Sequence, residues 1–119
     1  MIAGIGVDLF ETRRFSKFRK NPEFLKQIFS AAEIKRMGET PRPAYPPSAL
    51  FAVKEAVRKA LDKDLKPGWF WHHIRIDPGL DIRLTKNIKP LTFRKNFKMI
   101  HAAASRGRKF TFAMTVIEK

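Results

Sequence analysis

One acid among bases is the first feature of this sequence with chemical potential. In the run Leu50-Phe51-Ala52-Val53-Lys54-Glu55-Ala56-Val57-Arg58-Lys59-Ala60-Leu61, Glu55 is the single carboxylate, and Lys54, Arg58 and Lys59 surround it. Two chemistries fit. In the simpler one, Glu55 pairs with Arg58 at i+3 and Lys59 at i+4, contacts that stabilise a helix by about 0.2–0.5 kcal/mol each. In the other, Glu55 helps to hold a magnesium ion, whose remaining ligands are waters and substrate phosphate oxygens, while nearby cations neutralise phosphate charge. One carboxylate holds magnesium weakly, so this second chemistry needs another acid. Asp8, closing an apolar run that contains Gly4 and Gly6, is the best placed. The two glycines would let that strand lie close against a helix.

The elements that must position these residues follow from pattern. Leu50, Val53, Val57 and Leu61, with Phe51 and several alanines, make the central helix apolar around most of its circumference. Its polar positions form one stripe, which predicts a largely buried helix with a single wet edge. Ser48 is the expected cap, and the helix should run to about Asp62. Residues 2–9 read as a buried strand ending at Asp8. Glu11 to Lys20 reads as a short basic helix with Phe15 and Phe18 on its apolar side, and Asn21-Pro22 opens another that buries Phe24, Leu25, Ile28 and Phe29. Ser30-Ala31-Ala32-Glu33 matches a capping box before a helix over 31–38.

Pro41, Pro43, Pro46 and Pro47 mark a stiff loop. Trp69–Ile76 and Leu80–Thr85 suggest a hairpin around Asp77-Pro78-Gly79, and a short basic helix fits between Pro90 and Lys98. Met99–Ser105 and Phe110–Ile117 read as a closing antiparallel pair around Arg106-Gly107-Arg108. The sum is an α+β fold: an antiparallel sheet packed against a long central helix and shorter helices, in one domain over 1–119.

Composition narrows the partners. The chain carries 25 Lys plus Arg against 11 Asp plus Glu, a formal charge of +14 that should attract polyanions such as nucleic acid, phosphorylated cofactors or acidic proteins. It has no cysteine, which excludes disulfides, thiolate metal sites and cysteine nucleophiles. The opening Met1-Ile2-Ala3-Gly4-Ile5-Gly6 lacks the basic leader of a signal peptide, and no apolar stretch approaches a membrane span. A soluble, cytoplasmic protein is the expectation.

The residues then resemble a known family. Gly4-Ile5-Gly6-Val7-Asp8-Leu9 with Glu11, Phe29-Ser30-Ala31-Ala32-Glu33, and Phe51-Ala52-Val53-Lys54-Glu55-Ala56 with Lys59-Ala60-Leu61 are similar, in order and spacing, to the motifs of phosphopantetheinyl transferases of the holo-acyl-carrier-protein synthase type. The resemblance is thin from about 62 to 98. It implies a homotrimer with coenzyme A bound between neighbouring subunits and magnesium on Asp8 and Glu55. It also implies catalytic roles for Asp8, Glu55 and Lys59, and coenzyme contacts from Lys54, Arg58, Lys59, Ser105, Arg106 and His101. The acceptor would be an acidic acyl carrier protein of fatty acid biosynthesis, met by Arg13, Arg14 and Lys17. Its serine would attack the phosphorus joined to pantetheine, releasing adenosine 3′,5′-bisphosphate, with Glu55 or a water taking the proton.

This sequence departs from the family pattern at three places. Leu50 stands where an arginine is usual, and Asp62-Lys63-Asp64 replaces a Gly-Thr-Gly turn. Ala103-Ala104-Ser105-Arg106 matches a Ser-x-Ser-His motif with arginine for histidine. Arg106 can still contact a phosphate, but it cannot act as a base. Two alternatives follow: a nucleic-acid-binding domain using Arg94–Lys98 and Arg106–Lys109, or a noncatalytic relative that binds carrier or coenzyme. No zinc spacing, helix-turn-helix or RNA-binding aromatic signature supports the first. His72 and His73, adjacent on an expected strand, would face opposite ways and so suit packing or surface roles better than one shared metal.

Overall fold

The structure, a computed structural model, describes residues 1–39, 46–61, 71–85 and 97–119. Strand β1 (Ile2–Glu11) leads into three short helices, α1 (Thr12–Arg19), α2 (Pro22–Ile28) and α3 (Ala31–Glu39), and then the long α4 (Pro47–Leu61). A 3-10 turn (Trp71–His73) precedes β2 (Ile74–Asp77) and β3 (Asp81–Leu84), and β4 (Met99–Arg106) with β5 (Phe110–Glu118) closes the chain. The main sheet has the order β1-β5-β4, antiparallel throughout, and β2-β3 form a separate two-stranded sheet. The expected α+β architecture is therefore present. Among the described residues no helix is long and apolar enough to cross a membrane.

Helix α4 lies on one face of the main sheet because β1 gives it room. A Cβ on Gly4 would sit 2.1 Å from the Ala60 carbonyl oxygen, and one on Gly6 would sit 1.8 Å from that of Ala56. Only glycine allows this approach. The core between helix and sheet is built from Ala52, Val53, Ala56, Val57, Ala60 and Leu61 against Ile74, Ile76, Ala113 and Ile117. A second cluster, Phe15, Ile28 and Phe29, ties α1 and α2 to the helix end that carries Phe51.

Local signals hold where the partners are close in sequence. The Ser30 amide donates to Glu33 Oε1 at 2.7 Å and the Glu33 amide donates to Ser30 Oγ at 3.2 Å, a complete capping box. Asn21 caps α2 by accepting from the Glu23 and Phe24 amides, with Pro22 in the first turn. The closing hairpin matches its predicted bounds within a residue.

Three expectations are corrected. Strand β1 continues past Asp8 to Glu11, since β5 still offers it partners down to Phe110. Ser48 does not cap α4: the helix starts at Pro47, the Pro46 carbonyl accepts from Ala49 and Leu50, and Ser48 Oγ has no partner. Trp71-His72-His73 form a 3-10 turn, not a strand, so alternation does not separate the two histidines; His73 Nδ1 instead bonds Thr85 Oγ1 at 2.9 Å. Trp69, Phe70, the proline-rich stretch before Pro46, and most of the expected helix between Pro90 and Lys98 lie outside the described residues.

Candidate active site

Residues 4, 6 and 8 of β1 share the face that meets α4. Beyond the two glycines, that periodicity brings Asp8 to the helix as its first side chain of any size. Lys59 reaches back from α4 and donates to Asp8 Oδ1 at 3.0 Å and to the Val7 carbonyl at 3.1 Å. The other carboxylate oxygen, Oδ2, is buried without a hydrogen-bond partner. Burial raises the Asp8 pKa above the usual carboxylate value; Lys59 opposes the rise and the nearby negative charge of Glu55 adds to it. The two acids are thus close enough to feel each other.

Glu55 is held on both sides. Its Oε2 accepts from Arg58 Nη2 at 2.9 Å and Nε at 3.3 Å, and its Oε1 accepts from the Trp71 indole nitrogen at 2.5 Å. The i+3 pairing anticipated for Glu55 and Arg58 is present, whereas Lys59 turns to Asp8 instead of Glu55. The structure therefore assembles Asp8, Glu55, Arg58 and Lys59 in one place, with Trp71 as an additional member. No motif or periodicity singles out Trp71 for this role; only the turn carries its indole to the helix.

Lys54 corrects the idea of a single wet edge. It is 0% exposed, and its ammonium donates at 2.8 Å each to the Ile28 carbonyl, Glu33 Oε1 and the Trp71 carbonyl. All three donors are consumed inside the protein, so Lys54 has none to offer a coenzyme phosphate. Burial pulls its pKa down to about 8 against the attraction of Glu33. Glu33 in turn accepts from the Ile76 amide at 2.8 Å, besides closing the capping box. Glu55 and Arg58 are also buried, which leaves Lys59 the most accessible of the four polar side chains on this stretch of α4.

The strand residues divide by register. Ser105 pairs with Phe112, and His101 with Val116, so both lie on the sheet face away from α4, opposite Asp8. His101 bonds Glu118 Oε2 at 3.2 Å there. Arg106 pairs with Thr111, on the helix side of the sheet, and is exposed. One chain alone does not bring Ser105 and His101 to the two acids. Arg13, Arg14 and Lys17 are all exposed on α1. Arg14 also borders an apolar pocket of about 180 Å³ lined by Phe10, Phe15, Phe24 and Phe51.

The away face of the sheet is apolar and open. Ile5 is 58% and Leu9 61% exposed, and Val7, Met99, Phe110, Phe112 and Met114 accompany them. Such a contiguous apolar surface is what a protein interface uses.

Comparison with known proteins settles the family. Residues 4–115 match the model of the 4′-phosphopantetheinyl transferase superfamily. The chain belongs to that superfamily. It is an enzyme of the holo-acyl-carrier-protein synthase type. The holo-[acyl-carrier-protein] synthase of Exiguobacterium sp. strain AT1b is 31% identical over 121 residues, spanning all of this chain and 94% of that protein. The synthase of Geotalea daltonii is 30% identical over 125 residues, spanning the whole of both. In structure, the transferase superposes on the Neisseria meningitidis synthase with a TM-score of 0.83 at 21% identity, covering all of both chains. The Helicobacter pylori synthase, solved in complex with coenzyme A, gives 0.72 at 25% identity, over 96% of this chain and 99% of that one.

Proposed function

We propose that this transferase moves 4′-phosphopantetheine from coenzyme A to a serine of an apo acyl carrier protein, releasing adenosine 3′,5′-bisphosphate. The observation that carries the reading is the bond at 3.0 Å that ties Asp8 to Lys59, one turn after Glu55 on α4, with the other Asp8 oxygen buried and unsatisfied. A buried acceptor left without a donor costs roughly 1–3 kcal/mol, so it fits a cation better than it fits an empty space. Among the described residues no cluster offers three or more His, Asp or Glu ligands. Two carboxylates suit magnesium, which commonly takes one or two and completes its shell with water and phosphate. Asp8 and Glu55 would hold it, and when bound it supplies positive charge to the pyrophosphate.

The chain's own residues do the remaining work. Lys59, released from Asp8, stands at the same spot with a cationic donor for phosphate oxygens, and Arg58 adds positive charge beside it. The serine oxygen forms a bond to the phosphorus next to pantetheine, the bridging oxygen–phosphorus bond breaks, and the bisphosphate departs with the electron pair. The serine proton passes to Glu55 or to a water. Positioning and charge neutralisation, rather than covalent help from the protein, carry such a step.

The open apolar sheet face supports assembly into a homotrimer. Ser105 and His101 sit on that face, so a site shared between subunits would bring them to a neighbour's coenzyme, with Arg106 at the strand end. The exposed Arg13, Arg14 and Lys17 suit an acidic carrier protein, and the charge of +14 favours its approach. The whole of 1–119 acts as one domain in the cytoplasm, in service of fatty acid biosynthesis.

The test is direct. Incubation with coenzyme A, magnesium and apo acyl carrier protein should add phosphopantetheine to the carrier, read by mass spectrometry. Asp8→Ala and Glu55→Ala should each lower the rate by at least about 10³-fold. Coenzyme binding without any transfer would sink the reading in favour of a noncatalytic relative. Salt-sensitive nucleic-acid binding without coenzyme binding would replace it with the polyanion alternative.

A further inference from the structure

Trp71 is bound at both ends by neighbouring residues of α4. Its carbonyl accepts from Lys54 at 2.8 Å, its indole nitrogen donates to Glu55 at 2.5 Å, and its ring packs against Phe51 with centroids 5.5 Å apart. Lys54 is itself fixed by Glu33, and Glu33 by the capping box and the Ile76 amide. A chain of buried and half-buried contacts thus runs from the start of α3 and the edge of β2 to the carboxylate of Glu55. Arg58 restrains only the other oxygen of that carboxylate.

We infer that Trp71 is a positioning residue for Glu55, setting the carboxylate's orientation toward the cation, and that the Glu33–Lys54 pair holds Trp71 in place to do so. The inference rests on the metal-dependent transferase reading and adds a residue to it. The physical reason is that an indole N–H fixes one carboxylate oxygen without adding a charge that would repel the cation. A lysine or arginine there would add a second cation to Arg58, which already donates to Oε2, and so double the charge competing with the metal. Partners of ligating carboxylates commonly change metal affinity or activity 10–100-fold when removed.

The variant that isolates the donor is Trp71→Phe, which keeps an aromatic ring against Phe51. Manganese binding in the presence of saturating coenzyme A, measured by calorimetry, should weaken about tenfold. The magnesium concentration for half-maximal transfer should rise by a similar factor, while the KM for coenzyme A stays within about twofold. Unchanged manganese affinity in folded Trp71→Phe would overturn the inference. Transfer by the wild-type chain is assayed alongside, so failure of the enzyme reading is seen separately from failure of this one. Should Trp71→Phe not fold, the unsubstituted residue still decides the question. The chain has two tryptophans, Trp69 and Trp71, so its indole spectrum is assignable from Trp69→Phe. The Trp71 indole proton should be protected from exchange and should shift on adding magnesium with coenzyme A. An unprotected or unmoved signal would refute the role.

Discussion

Two lysines of one helix, five residues apart, meet acids in opposite circumstances. Lys54 and Glu33 are sealed in the interior, and every donor of the lysine and both oxygens of the glutamate are satisfied. Lys59 and Asp8 sit at the rim, the lysine side chain 38% exposed and one oxygen of the aspartate unsatisfied. The first pair is complete, which is how a buried ion pair fixes the arrangement of a core. The second pair is incomplete, which fits the cation site proposed for it. What separates the two pairs is the carboxylate oxygen of Asp8 that no donor reaches.

Breaking the interior pair should have the largest effect on folding. Lys54→Ala strands the Glu33 carboxylate without its cation and is expected to cost about 3–5 kcal/mol, readable as a loss of denaturant midpoint. Lys59→Ala at the rim should cost under about 1 kcal/mol while transfer falls sharply. Equal destabilisation by both would erase the distinction between interior and rim.

Gly6→Ala comes next. Its new methyl would collide with the Ala56 carbonyl, pushing α4 off β1. Overpacking of this kind costs about 1–3 kcal/mol, and the displacement should fall on Asp8 and Lys59 more than on Lys54. Transfer should therefore drop further than stability does in Gly6→Ala, and a variant with native stability and native rate would contradict this packing.

Asp8→Asn should act in the reverse sense on stability. Because burial holds the Asp8 pKa above its unfolded value, the folded chain keeps a proton that the unfolded chain has lost, and stability falls as pH rises from the unfolded pKa through the folded one. Once ionised, this half-buried group is a burden without a metal. Asn removes the charge, so the metal-free melting temperature should rise, while transfer is lost. Lowered melting in Asp8→Asn would argue that the Lys59 pair is a net stabiliser.

The smallest effect is a slope. Lys54 releases its proton near pH 8 in the folded chain but near its ordinary 10.5 when unfolded. Between those values the unfolded state binds more protons, so stability should climb with pH across that window. The difference in slope between wild type and Lys54→Met isolates the contribution. A wild-type slope no steeper than that of the variant would show that the Glu33 pair fully offsets the cost of burying the Lys54 charge.

Much of the fold is legible in the sequence. The Ser30–Glu33 box, the Asn21 cap, the closing hairpin and the extent of α4 depend on partners a few residues apart. Gly4 and Gly6 announce a close helix contact. Asp8 and Glu55, 47 residues apart, are linked only with help from the family motifs, and in the folded chain their charges interact. Lys54 departs from expectation for a geometric reason. Successive helix residues are about 100° apart, so Lys54 and Lys59 sit about 140° from each other on α4. A polar stripe that wide has two borders, and different elements cover them: α2, α3 and the turn at Trp71 on one side, the end of β1 on the other. Periodicity says which residues share a side; it does not say what comes to lie on it. Trp71 escapes a sequence reading because its contact with Glu55 depends on a 3-10 turn without a local signature.

The open face of the main sheet has a practical corollary. In the proposed trimer, the folded subunit draws part of its free energy from its neighbours, so dilution acts as a denaturant. Melting curves collected at two protein concentrations would then not superimpose, and any comparison of variants should be made at matched concentration.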